Sequence, residues 1–263
     1  MISFRRIAGI LALGLVAVTF PSKARATDRW KPLFNGRDLA GWYTYIQGEG
    51  RNKDPHKLIQ VVDGVVHGYK DAVEGSEQPH GYICTLAEYS HYRLRFQYKW
   101  GKKRFAPRAD TVRDAGLLFH VVGRDGRAFG VWPMSVECQV QEHDTGDLIT
   151  VDTRCTSWIV SAEEGEQYPT FREPADGGQQ ILNTWYVNAG RVCDQLEGWN
   201  DVEVEVRGAK SAQYKVNGDV NQRLANIEQP AGEDWKPLDK GRIAFQIESA
   251  EVMYRNIQIL SLN

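Results

Sequence analysis

From Ser135 to Glu142 the chain alternates strictly: Val136, Cys138 and Val140 fall on one side, Glu137, Gln139 and Gln141 on the other. A period of two marks an extended strand with one face in a core. The second face here carries a carboxylate and two amides. Such a face either binds something polar, such as a sugar whose hydroxyls need paired donors and acceptors, or is the solvated outside of a sheet. The same period recurs along the chain. Leu94, Phe96, Tyr98 and Trp100 alternate with Arg93, Arg95, Gln97 and Lys99. Leu117, Phe119 and Val121 alternate with Gly116, Leu118 and His120, and Ile243, Phe245 and Ile247 with Ala244, Gln246 and Glu248. Residues 57–67 read as two short strands about a Val62-Asp63-Gly64 turn, and Asn217-Gly218 is a strong hairpin signal. Almost no segment sustains helical periodicity. About a dozen short strands at this spacing predict an all-β, two-sheet sandwich in a single domain.

Two segments break the rhythm. Residues 144–184 hold Glu163, Glu164, Pro169, Pro174, Gly177 and Gly178 and few alternating runs, which predicts a long loop carrying a strand or two. Residues 101–113 form a basic loop with Lys102, Lys103, Arg104, Arg108 and Arg113, a pattern that usually means solvated surface.

The N-terminus predicts export. Arg5 and Arg6 precede an apolar run from Ile7 to Phe20, Pro21 ends it, and Ala24-Arg25-Ala26 is an A-x-A cleavage signal. The run is too short to span a membrane. Residues 1–26 are therefore expected to be a signal peptide and 27–263 the mature domain, periplasmic or secreted. Cleavage lowers Lys+Arg from 32 to 28 against 34 acids, a net charge of −6. That balance argues against nucleic acid and, once the signal is removed, against a membrane as partner. Eight Trp, eleven Tyr and nine Phe suit both a sandwich core and stacking on sugar rings. Cys84, Cys138, Cys155 and Cys193 are an even set in an exported chain, and the predicted bridge is Cys155–Cys193, pinning the long loop.

No phosphate loop, dinucleotide fingerprint, H-E-x-x-H helix or G-x-S-x-G elbow is present. Leu33-Phe34-Asn35-Gly36-Arg37-Asp38-Leu39-Ala40-Gly41-Trp42 resembles the "LFNGKDLSGW" opening of the 3-keto-disaccharide hydrolase family. Further matches follow in the family's order: Asp63-Gly64-Val65-Val66, Asp114-Ala115-Gly116-Leu117, Glu137-Cys138-Gln139-Val140, Gly198-Trp199-Asn200, Gly241-Arg242-Ile243-Ala244-Phe245-Gln246 and Tyr254-Arg255-Asn256-Ile257. The resemblance runs from Trp30 to Leu260.

It implies a concanavalin-like jelly roll and an exported enzyme acting on sugars oxidised at carbon 3: a 3-keto-glucoside 1,2-lyase, with rehydration of the 2-hydroxy-glucal giving net hydrolysis. A ketone at C3 acidifies the C2 hydrogen, so a base can remove it and the enediolate can expel the C1 substituent. Such a site needs a base poised near neutral pH, a positive or hydrogen-bonding group at the ketone oxygen, and an acid near the leaving group. Within that reading Glu137 and His120 are the expected catalytic residues, His120 as base or metal ligand. Gln139, Gln246, Asp114, Arg95 and Trp42 are the expected substrate contacts, with Arg95 placed to polarise the ketone, and Tyr82 is a further stacking candidate. Asp114-Ala115 stands where the family usually carries Asn-Ser, so a carboxylate and a methyl replace an amide and a hydroxyl. No cofactor is certain, although Glu142-His143-Asp144 leaves room for a divalent ion. The expected partner is an oxidised oligosaccharide or glycoside; oligomeric state is open. Two alternatives remain: a non-catalytic carbohydrate-binding jelly roll, and a two-carboxylate glycoside hydrolase. The second would need a bulge to bring Glu142 to the side of Glu137.

Overall fold

The computed structural model describes residues 29–162 and 164–262. The expected signal peptide lies outside the described residues. Two antiparallel sheets face each other in a jelly-roll sandwich, and the one helical turn among the described residues is Pro174–Asp176. The eight-stranded sheet runs, edge to edge, Tyr186–Val187, Leu148–Val151, Met134–Gln141, Asp114–Val122, Arg242–Ile247, Gly81–Thr85, Trp42–Ile46 and Gly50–Arg51. Opposite it lies a twelve-stranded sheet built around His91–Arg104, Asn200–Arg207 and Ala250–Ser261.

Apart from Val121, which turns to the opposite face, the inward sets are those the alternation predicts. Leu94, Phe96 and Tyr98 of one sheet meet Leu117, Phe119, Val136, Cys138, Val140 and Phe245 of the other. Phe96 and Phe245 span the gap edge to face, with centroids 4.9 Å apart. Fully burying one such ring stabilises the fold by roughly 1.5–3 kcal/mol. The Asn217-Gly218 turn has φ of 49° and 93°. Positive φ at both central positions is what a tight hairpin following the sheet twist demands.

Residues 144–184 are more regular than expected. They contain the strands Leu148–Val151, Arg154–Val160, Thr170–Phe171 and Gln179–Asn183. Arg154–Val160 sits between two partners, Asp219–Ala231 and Gln179–Asn183. Its Thr156 and Ser157 are buried on ladder contacts, so polarity concealed the strand.

All four cysteines are free thiols, and the expected Cys155–Cys193 bridge is absent. Cys155 is buried on a strand whose neighbours pair with Glu228 and Ala225. The Cys193 thiol sits beside Asp219 and Asn221, at 3.6 and 3.5 Å. Those lie about five to eight residues further along the same partner strand, roughly 16–26 Å at ~3.3 Å per residue. A disulfide needs Cα atoms within about 7 Å.

Candidate active site

The outward face of the eight-stranded sheet is concave and forms the floor of a cleft of about 540 Å³. Register sets the floor in rows. Glu137 pairs with Leu118 on one side and with Ile149 on the other, and Ile149 pairs with Tyr186. In the next row Gln139 pairs with Gly116, and Gln246 pairs with Tyr82. In the third, Gln141 pairs with Asp114 and Asp114 with Glu248. Gly116 is where side chains from both neighbouring strands converge: a Cβ there would overlap Glu137 Oε1 and Gln246 Oε1.

Three carboxyl groups and one guanidinium share the floor. Residues 101–104, expected as loop, end the strand His91–Arg104; Arg108 reaches in from the 105–113 loop that follows and bridges Asp114 and Glu248, at 2.7 and 2.6 Å. Glu137 is 5% exposed and has no cation of its own. Burial, and then the charges of Asp114 and Glu248, push its pKa well above the ordinary carboxylate value, with the Gln246 side chain pulling weakly the other way. Asp114 is raised by burial and by Glu248, with Arg108 opposing; burial raises Glu248, again against Arg108. One guanidinium cannot offset three buried negative charges, so the group retains a proton to higher pH than an exposed carboxylate would. Among the described residues no protein group pairs with Asp114 Oδ1, Gln139 Oε1 or Gln246 Oε1, although all three are buried. All three residues line the cleft, and a buried acceptor without a partner is uncommon in a folded protein.

One wall is the loop 123–133, which supplies Phe129, Val131 and Trp132. Asp125 braces it by accepting from Tyr43 Oη at 2.8 Å, Tyr82 Oη at 2.6 Å and Arg51 at 2.7 Å. His80 lies flat against Trp132, 6.0 Å between ring centres, and burial lowers its pKa to about 4, so it is neutral. Tyr168, Trp185 and Tyr186 make the other wall. Phe129 and Trp185 remain 75% and 44% exposed.

Glu137, Gln139 and Gln246 thus share the face that the alternation predicts, and Asp114, singled out by the resemblance, joins them. His120, Arg95 and Trp42 do not. Strict alternation would put His120 on the cleft face, but register slips between Phe119 and Val122 and between Arg242 and Ala244. His120 is the bulged residue, with φ of 52°. Val121 takes the next position on the concave face beside Leu118, while His120 is fully buried and donates from Nε2 to the Gly208 carbonyl at 3.1 Å. Burial lowers its pKa to about 4. Arg95 belongs to the other sheet, where it donates to Gln258 at 2.8 Å and lies over Trp30. The outer groove it lines is occupied by groups already paired with each other, Arg93 with Glu203 and Gln97 with Asp201. Trp42 is packed in the core against Phe245, its indole N–H donating to the Leu33 carbonyl. Tyr82 supports the wall loop from beneath.

Glu142 is not on the cleft. It accepts from Arg113 Nε at 2.6 Å and pairs with Arg104 at 3.0 Å, and Asp144 accepts from Gln141. No group of three or more His, Cys, Asp or Glu is arranged for a metal ion among the described residues. The residues that sequence reasoning missed are Arg108, Glu248, His80, Tyr168, Trp185 and Tyr186. Glu248 continues the Ala244, Gln246 alternation and was legible; the others arrive through loops and edge strands.

A protein from Parabacteroides distasonis ATCC 8503, provisionally named a glycosyl hydrolase, shares this fold at 19% identity and TM-score 0.51, covering 90% of this chain and 95% of its own. A second structure under that name and source, also 19% identical with TM-score 0.51, covers 89% of this chain and 100% of its own. No curated protein matches significantly. The family profile described as a 3-keto-alpha-glucoside-1,2-lyase-like domain matches residues 29–260, nearly every residue of the sandwich and every residue of the cleft, so the chain belongs to that family of carbohydrate-active domains.

Proposed function

We propose that the protein is an exported enzyme that cleaves 3-keto-glycosides by elimination across C1–C2 and leaves unoxidised glycosides intact. Glu137 removes the C2 proton. Arg108, the cation bordering the same floor, offsets charge that develops on the C3 oxygen. Asp114 Oδ1, Gln139 Oε1 and Gln246 Oε1 accept from ring hydroxyls and set the sugar's orientation. The observation that carries the reading is the state of Glu137: buried, without a cation of its own, and held by neighbouring carboxyls at a raised pKa. A carboxylate base raised above its ordinary range is the stronger partner for a C–H acidified by a ketone.

The two-carboxylate route to ordinary glycosides has less support. It needs an acid and a nucleophile or base on opposite sides of the bond. Here Glu142 is tied to arginines, and Asp114 and Glu248 share one guanidinium. The test is incubation in D₂O with a 3-keto-glucoside and with its unoxidised parent. Cleavage of the keto sugar alone, with deuterium entering C2, is the expected result. Cleavage of the unoxidised glycoside, or turnover without C2 exchange, would overturn it.

A further inference from the structure

Tyr186 ends the row of side chains that begins at Glu137. The two stand two strands apart through Ile149, about 10 Å at ~4.8 Å per strand. The Tyr186 ring lines the cleft. Its hydroxyl donates to Asp147 Oδ2 at 2.5 Å, and Asp147 Oδ1 accepts the Ala189 N–H at 2.6 Å. Asp147 itself is 2% exposed. Tyr168 lies flat on the Tyr186 ring, centroids 4.4 Å apart, and holds it in place. A buried carboxyl is therefore wired to the cleft surface through a single phenol, on the wall facing the base.

We propose that Tyr186, backed by Asp147, delivers the proton to the departing glycosidic oxygen. This rests on the elimination proposed above and names the acid it lacks. Glu137 takes the C2 proton, and the C–H electron pair passes into the enediolate. That pair then forms the C1=C2 bond as the C1–O bond breaks and its electrons go to the glycosidic oxygen. With Asp147 protonated, the hydrogen bond it shares with Tyr186 runs the other way, the carboxyl O–H donating to the phenolic oxygen, and the glycosidic oxygen receives the phenolic proton as that oxygen takes the carboxyl's. The products are the unsaturated keto sugar, the alcohol, a protonated Glu137 and an ionised Asp147. Exchange with solvent restores both carboxyls, so the net change is one proton moved from C2 to the leaving oxygen, with no oxidant or reductant.

Burial, reinforced by Asp144 and Asp194, raises Asp147 to about 7 against the hydrogen bonds from Tyr186 and the Ala189 N–H. A proton is then available on it at neutral pH. Asp147 acts through Tyr186 and is a positioning residue; Tyr186 is the group that meets the substrate.

The experiment compares wild type, Tyr186→Phe and Asp147→Asn on the methyl and 4-nitrophenyl 3-keto-glucosides, with C2 deuterium exchange followed in parallel. An acid matters for a poor leaving group and hardly at all for a good one. Tyr186→Phe should lose about 10²–10³-fold in kcat on the methyl glycoside and less than about tenfold on the nitrophenyl one, while C2 exchange continues. Asp147→Asn should move in the same direction and flatten the alkaline limb of the methyl-glycoside profile. Equal losses on both substrates, or loss of exchange together with cleavage, would overturn the assignment. Wild-type protein that neither exchanges C2 nor cleaves either keto-glucoside would overturn the elimination itself, and this proton path with it.

Discussion

Gly116 lacks a side chain where Glu137 needs the room: the carboxyl of Glu137 occupies the space a Cβ on Gly116 would fill. The pair sits on adjacent strands and on the same face, two residues from being direct partners. Gly116→Ala should therefore push Glu137 and Gln246 from their positions while leaving the sandwich intact. We expect kcat to fall at least tenfold, with a stability cost of about 1–3 kcal/mol from overpacking. Kinetics alongside thermal melts check this, and wild-type turnover in Gly116→Ala would show that the orientation of Glu137 is immaterial.

Glu137→Gln keeps shape and removes the base. The expected loss in kcat is about 10²–10⁴-fold with an unchanged circular dichroism spectrum. In the wild type, the acid limb of kcat/KM should lie above the usual glutamate range near pH 4.3, because burial and the Asp114 and Glu248 charges raise the group that must ionise. An acid limb in the ordinary carboxylate range would count against Glu137.

Arg108 is the one cation bridging two buried carboxyls, and Arg108→Met leaves Asp114 and Glu248 facing each other unneutralised. Removing one partner of a buried pair costs about 3 kcal/mol or more. The loss should be greatest at alkaline pH, where both carboxyls must ionise, and should shrink as the pH falls and they take up protons. Urea melts across pH 5–8 would reveal it; a pH-independent loss would rule out the electrostatic origin.

Asp147 offers a linkage test with a definite sign. Its folded pKa, about 7, lies above the unfolded value near 3.9, so the native state holds the extra proton in that window. Whatever this group contributes to stability is present below the unfolded pKa and lost as pH rises through about 7. Asp147→Asn cannot titrate, so its Tm relative to wild type should improve between pH 5 and pH 8. A constant difference would mean that Asp147 does not titrate in that range.

His120→Ala should leave kcat/KM within about threefold and lower Tm, because the ring supports the Gly208 carbonyl away from the cleft. The lost hydrogen bond is worth roughly 1 kcal/mol. A loss of activity approaching that of Glu137→Gln would return His120 to the chemistry.

What the sequence by itself determined is which side chains share a face. Period two is a local property, carried by each strand's own backbone, so Glu137 with Gln139, and Gln246 with Glu248, were legible before any partner strand was known. Tertiary structure decided everything that depends on how strands and loops meet. His120 leaves the cleft because a bulge inserts one residue against its neighbours, and a bulge is set by register, which single-strand alternation does not encode. Arg108 enters because its loop folds back onto the ends of two adjacent interior strands, where two carboxyls meet; in the sequence it is one of five basic residues in a run. Tyr186 reaches the row of Glu137 through a two-residue edge strand too short to announce itself. The predicted bridge of Cys155 to Cys193 fails for the same reason: distance along a partner strand, not composition, decides which thiols can meet.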